Sequence, residues 1–207
     1  MKRHPFNLIE LMLALGVIVI GLVSVLALFP IGANANRDAA AENYASQAAE
    51  QTLSLMAKYI TTSDANWVTF VSGGSPLITD CSTPSNFANY IATWHDQDGH
   101  VDDYLTPSPL NVGAVKTIYQ RNASKFDEGL LIRNGHTNGA GEYITDFEAL
   151  AFVWQQKIVI DPSASPPLEI DLKYATCLNI EISWPARLPY ARRQKATYRL
   201  EVFNPNL

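Results

Sequence analysis

Apolar side chains follow two regimes along this chain. Over residues 6–30 they run nearly unbroken, with a single acid, Glu10, near the start. At ~1.5 Å per residue that run makes about 37 Å of helix, enough to cross a bilayer. Over residues 33–60 the apolar positions thin out into a segment rich in Ala, Glu, Gln and Leu, all strong helix formers. Ala41, Tyr44, Ala45, Ala48, Leu53, Leu55, Met56 and Tyr59 form a partial stripe there at helical spacing. Together the two stretches predict one long helix, bent near Pro30. Its first half belongs in a membrane or in the core of an assembly, and its second half packs under a folded head. Two helices joined by a short linker are the alternative.

Beyond residue 61 the spacing shortens. Residues 61–66 are a polar break, and residues 67–71, Trp-Val-Thr-Phe-Val, predict a strand. Gly73-Gly74-Ser75-Pro76 predicts a turn. Residues 80–113 carry Pro84, Gly99, Pro107, Pro109 and Gly113 and read as loop-rich, with a short strand or helix at 90–94. Residues 114–120 and 149–160 predict strands, the second interrupted at Gln155-Gln156, and 161–167 is a Ser/Pro-rich connection. Leu178, Ile180, Ile182 and Trp184 alternate with Asn179, Glu181 and Ser183, and Tyr198, Leu200 and Val202 alternate with Arg199, Glu201 and Phe203. These two runs predict an antiparallel pair around a long loop. A long helix followed by antiparallel strands gives an α+β layer.

Glu10 sets the apolar run apart from an ordinary anchor. Lys2 and Arg3 favour a cytoplasmic N-terminus with the rest of the chain outside. A cleaved secretory signal would have a shorter apolar core and a small-residue site after it, which Ala33-Asn34-Ala35 matches weakly. A plain signal anchor fits the length and the flanking charge but leaves Glu10 unexplained. A charge at the centre of a membrane helix costs roughly 2.5–3.5 kcal/mol, less toward its ends, so the carboxylate asks for a partner. The run itself supplies none.

Pro5-Phe6-Asn7-Leu8-Ile9-Glu10 resembles the processing site of type IV prepilins and pseudopilins. In that family a short basic leader ends in Gly and is followed by Phe, a polar residue, two apolar residues and Glu. The resemblance implies that prepilin peptidase cuts before Phe6 and methylates the new amine. It also implies that Glu10, then the fifth residue, lies near the N-terminal amine of a neighbouring subunit and sets register. The Ala14-Leu15-Gly16 and Leu28-Phe29-Pro30-Ile31-Gly32 pieces look more like minor pilins and pseudopilins than major ones, and resemble the pilin-like Verru_Chthon cassette group. The resemblance covers residues 2–32 and extends to about residue 60. Pro5 departs from it, standing where the family has Gly. Proline fixes φ and removes an N–H, which works against cleavage.

The rest of the composition changes this picture little. A net charge of −5 and a pI near 5.3 argue against general nucleic-acid binding. Cys81 and Cys177, in an exported head, permit one disulfide; two buried thiols, or one thiol of each kind, fit as well. Asp96, Asp98, Asp102 and Asp103, grouped around Gly99, are candidate calcium ligands, against a solvated acidic turn that holds no metal. They lack the EF-hand pattern with its closing Glu. His95 and His100 lie beside them without zinc-site spacing, and nothing marks the acids as a catalytic pair. Arg187, Arg192, Arg193, Lys195 and Arg199 gather around Tyr190, as a solvated loop with gatekeeping charges, a subunit contact or a nucleic-acid patch. Trp184-Pro185 and Leu188-Pro189-Tyr190 read as packing rather than ligand stacking.

The expectation is a non-enzymatic minor pilin or pseudopilin, anchored in the inner membrane and then carried in a pilus or pseudopilus. Its partners would be prepilin peptidase and other pilin subunits, with no certain cofactor beyond the candidate calcium. Its parts would be a leader at 1–5, a membrane or filament-core half-helix at 6–31, the helix continuation at 32–61 and an α+β head at 62–207. The alternative is a single-pass anchored extracytoplasmic binding module that does not polymerise.

Overall fold

The computed structural model describes residues 7–72, 79–80, 101–102, 104, 106–108, 110, 117–120 and 129–206. The turn expected at 73–76 and the piece at 90–94 lie outside the described residues. The chain divides into two compact units, Met1–Asn43 and Tyr44–Leu207.

Helix α1 runs without interruption from Leu8 to Thr61, 54 residues with Pro30 inside, so the two-helix alternative does not hold. The Asn7 carbonyl opens it, accepting from the Glu10 and Leu11 amides at 2.9 and 3.2 Å. In the first unit the Ser24 hydroxyl donates back to the Ile20 carbonyl at 2.8 Å, which satisfies a polar group inside an apolar helix. In the second unit the helix buries Ala45, Ala48, Ala49, Thr52, Leu53, Met56 and Ile60, a stripe at steps of three, four and one. The alanines keep that face narrow and let the backbone approach the sheet. Tyr44 stacks on Phe147 with ring centroids 5.8 Å apart.

Thr61 and Thr62 close α1 by donating to the Ala57 and Lys58 carbonyls at 2.8 and 2.7 Å. The strand expected at 67–71 is absent; this segment is helical. Short helix α2 (Asp64–Trp67) runs into a π-helical turn at Val68–Ser72. Ser63 caps α2, its Oγ accepting from the Asn66 amide at 3.1 Å. Trp67, Phe70 and Val71 are buried while Val68 and Thr69 are exposed, which is helical spacing rather than alternation. The Trp67 indole donates to the Leu172 carbonyl at 2.9 Å and ties this turn to the sheet connection.

Nine strands follow among the described residues: β1 (Thr79–Asp80), β2 (Thr106–Pro107), β3 (Ile118–Gln120), β4 (Leu130–Thr137), β5 (Tyr143–Gln156), β6 (Val159–Asp161), β7 (Leu168–Glu169), β8 (Ala175–Trp184) and β9 (Gln194–Phe203). Seven of them form one sheet in the order β2-β3-β4-β5-β8-β9, with β1 added parallel to β5 and every other pairing antiparallel. The pair β6-β7 forms a separate ribbon in the connection between β5 and β8. The fold is therefore α+β. Strand β4 was not foreseen, and β5 begins six residues before the expected start at 149. A bulge at Asn134/Gly135 bends the β4–β5 hairpin, and a Cβ at Gly135 would overlap the Ile144 carbonyl, so only glycine fits there.

The expected terminal hairpin is present, β8 against β9 over ten register pairs. Although apolar and polar residues alternate along it, all ten residues of β8 are buried. On the helix side lie Leu178, Ile180, Ile182 and Trp184, with the Trp184 ring 6.3 Å from that of Phe147. On the other side Cys177, Asn179, Glu181 and Ser183 share a face with Leu150 and Phe152. Leu131 lies on that face too, and Val101, Tyr104 and Ala186 cover it in part, forming one core cluster with Leu131, Leu150 and Phe152 against which Tyr190 packs.

Candidate assembly interface

The residues that would drive assembly sit on the first half of α1. Among the described residues, α1 is the one helix long and apolar enough to cross a membrane, and none of its most apolar window is buried. Leu8, Met12, Val17, Ile20, Leu22, Val25, Leu28 and Phe29 each leave more than half of their surface open. The exposure goes all the way round the helix, so among the described residues no face of it is committed to packing. A Cβ added at Gly16, Gly21 or Gly32 would meet nothing, so no contact among the described residues requires glycine at these positions.

Glu10 occupies the first turn of α1 and is exposed. Its carboxylate has no hydrogen-bond or ion-pair partner among the described residues. An acid is stabilised near a helix N-terminus by the helix dipole, worth about 0.3–1 kcal/mol on a surface. The full cost of a charge, roughly 2.5–3.5 kcal/mol, applies at the centre of a bilayer and is less toward a helix end, so the dipole offsets part of what Glu10 costs. Pro5 and Phe6, the expected processing site, lie outside the described residues.

The other candidates separate in space. Cys177 is a buried free thiol on β8, and burial pushes its pKa up; Cys81 lies outside the described residues. Of the four candidate calcium ligands, Asp96, Asp98 and Asp103 lie outside the described residues, as do His95 and His100. Asp102 is highly exposed and faces Arg187 at 3.6 Å. Among the described residues no three metal-ligating side chains come together.

The basic cluster is dispersed rather than gathered. Arg193 is buried, donating through Nε to the Leu188 carbonyl at 2.6 Å and through a guanidinium nitrogen to Ser183 Oγ at 3.4 Å. Arg187 reaches Glu148 at 3.1 Å, and Arg199 reaches Glu201 at 3.3 Å. Tyr190 turns inward, its hydroxyl donating to Glu181 at 2.7 Å, while Lys195 Nζ stands 3.8 Å from the centre of its ring. Burial raises the Glu181 pKa above the ordinary carboxylate range against the pull of Tyr190, Lys195 and Arg193. Burial and the Glu181 contact push the Tyr190 phenol up as well. Of the pieces read as packing, Trp184 is buried and Tyr190 half-buried, whereas Pro185, Leu188 and Pro189 are exposed, and only part of the loop's charge faces solvent.

Sequence reasoning missed one polar site. Arg133 donates to Glu148 at 2.8 Å, and with Arg187 it brackets that carboxylate beside a cleft of about 300 Å³. The three residues are far apart in sequence, and the unforeseen strand β4 supplies one of them. No family model, curated protein or solved structure matches this chain.

Proposed function

We propose that the chain is a minor pilin or pseudopilin subunit of a type IV pilus or of a type II secretion-like filament. The observation that carries this reading is the first half of α1: apolar on every side, exposed throughout, and holding one acid with no described partner. Lipid can cover such a helix, but it cannot neutralise Glu10. A neighbouring subunit can do both. Its α-amino group, released when prepilin peptidase cuts before Phe6, would meet the Glu10 carboxylate while apolar helices pack side by side. A charge pair in an apolar setting rewards one register and penalises every other, because a misplaced acid stays buried and unpaired. Gly16 and Gly21, which meet no packing demand among the described residues, would let neighbouring helices come close. The α+β head would face outward.

The second reading is an anchored extracytoplasmic module that does not polymerise, and Pro5 favours it, since proline stands where the prepilin pattern has glycine. Intact mass and N-terminal sequencing of the protein from its native host separate the two. A start at N-methylated Phe6 supports the subunit reading. A start at Met1 means that Pro5 defeats the peptidase and favours the module. Glu10→Ala adds an independent test: filament incorporation drops under the first reading, and nothing changes under the second.

A further inference from the structure

Strand β9 forms a long open edge of the sheet. Its ten residues pair with β8 without a register shift, and among the described residues no other strand borders it. An edge strand leaves alternate N–H and C=O groups unpaired and offers a template for another strand. The opposite edge is blunted, for β2 has two residues and one of them is Pro107. A groove of about 250 Å³ opens beside β9, lined by Ser46, Glu50, Leu53 and Ser54 of α1 and by Tyr198, Leu200 and part of Arg199 of the strand. On its other face β9 exposes Lys195 and Arg199.

The same chain carries a segment of matching pattern. The β6-β7 ribbon stands apart from the main sheet, and its second strand leads into Ile170 and Asp171, so that Leu168-Glu169-Ile170-Asp171 alternates apolar and acidic before a turn at residues 172–174, where the Asp171 carboxylate accepts from the Lys173 amide at 2.8 Å. Leu168 is 53 % exposed and Ile160 61 %, an apolar surface left open among the described residues. Glu169 and Asp171 are exposed as well. Extended backbone puts these acids on one side and Leu168 and Ile170 on the other.

We infer that the β9 edge receives the β6-β7 ribbon of a second copy of this chain, added as a further strand. The acids of the ribbon face Lys195 and Arg199, and its apolar side faces the groove at Leu53 and Leu200. Glu169 now pairs with Lys157 at 3.2 Å, and Arg199 with Glu201 at 3.3 Å. Both are exposed pairs of the kind that contribute little, so exchanging them across an interface costs little. Donor ribbon and acceptor edge are different surfaces, so the contact is head-to-tail and can repeat along an open assembly. The inference rests on the filament reading and names the head surfaces that reading would use.

The test uses the full chain in membranes, with p-benzoyl-phenylalanine placed either at Tyr198, beside the groove, or at Leu22, in the apolar helix. The expected result is a Tyr198-site adduct to a peptide from residues 157–174 of another copy. It should fall about tenfold in a Lys195→Glu, Arg199→Glu variant, the scale of ~1.4 kcal/mol, and recover when Glu169→Lys and Asp171→Lys are added. All four positions are exposed, and an unchanged far-ultraviolet circular dichroism spectrum checks the fold of each variant. If the Leu22 probe links subunits while the Tyr198 probe gives no adduct, or one elsewhere, the ribbon contact is wrong and the filament reading stands. Loss of adducts from both probes overturns the two together.

Discussion

In the first half of α1, Leu13, Val17, Ile20 and Val23 each leave more than half of their surface open, and so do their neighbours on every side. In the second half, Ala45, Ala49, Leu53 and Met56 are almost wholly covered by the sheet of their own chain. One helix thus contains two solutions to apolar burial. A striped helix with small residues on its inner face is made to lie on a sheet. A helix apolar all round has no inner face, and its burial has to come from lipid or from other chains.

The largest effects should therefore fall in the second half. Leu53→Ala is expected to lower the unfolding free energy of the head by about 2–5 kcal/mol, the range for a buried Leu that leaves a cavity. Leu22→Ala, the same change in the first half, should move it by less than about 0.5 kcal/mol. Urea unfolding of the full chain in detergent, followed by tryptophan fluorescence, reads both. A comparable loss from Leu22→Ala would mean that the two halves do not differ in this way.

Next comes the reverse experiment. Val17→Lys places a charge mid-helix and should cost about 2.5–3.5 kcal/mol of membrane insertion, while the head unfolds as before. Fractionation of membranes and soluble extract reads the first effect, and the urea midpoint reads the second. A smaller effect is expected from size alone. Ala49→Leu overpacks the helix–sheet contact and should cost the head about 1–3 kcal/mol, whereas Ala14→Leu should leave the head unchanged and act on assembly only.

How legible these regions were differs for physical reasons. The apolar run and the helix beyond it were plain in the sequence, because 54 residues of consistent pattern leave little room for another element. The β8–β9 hairpin was plain too, since its alternation is strict on both strands. The 67–71 segment misled because Val, Thr and Phe favour strands; the cues for helix were the Ser63-Asp64 cap and the spacing of Trp67, Phe70 and Val71. Strand β4 hid because Leu130, Leu131 and Ile132 are buried in succession, without alternation, and the strand carries a bulge at Asn134/Gly135. The covered second face of β8 was not visible, because its cover comes from distant residues such as Val101, Tyr104 and Tyr190. Glu10 was noticed for the same reason that Glu181 was not: an acid in an apolar run stands out, and one in an alternating strand does not.

Those two acids restate the comparison at the scale of one side chain. Glu10 has no partner among the described residues, whereas Glu181 is held by the Tyr190 hydroxyl with Lys195 and Arg193 nearby. Even so, burial wins at Glu181 and raises its pKa above the ordinary 4.5. The native head then binds more protons than the unfolded chain between the ordinary value and the raised one. By linkage this contribution to stability is fully present below the ordinary value and is lost as pH rises through the raised one. Glu181→Gln removes the titration and keeps an oxygen to accept from Tyr190. The variant should therefore show a flatter dependence of urea midpoint on pH across the weakly acid range, and a higher midpoint than the parent at neutral pH. Parallel curves for parent and variant would show that Tyr190, Lys195 and Arg193 offset the burial in full. Glu181 would then be a completely satisfied acid, and the contrast with Glu10 would be sharper.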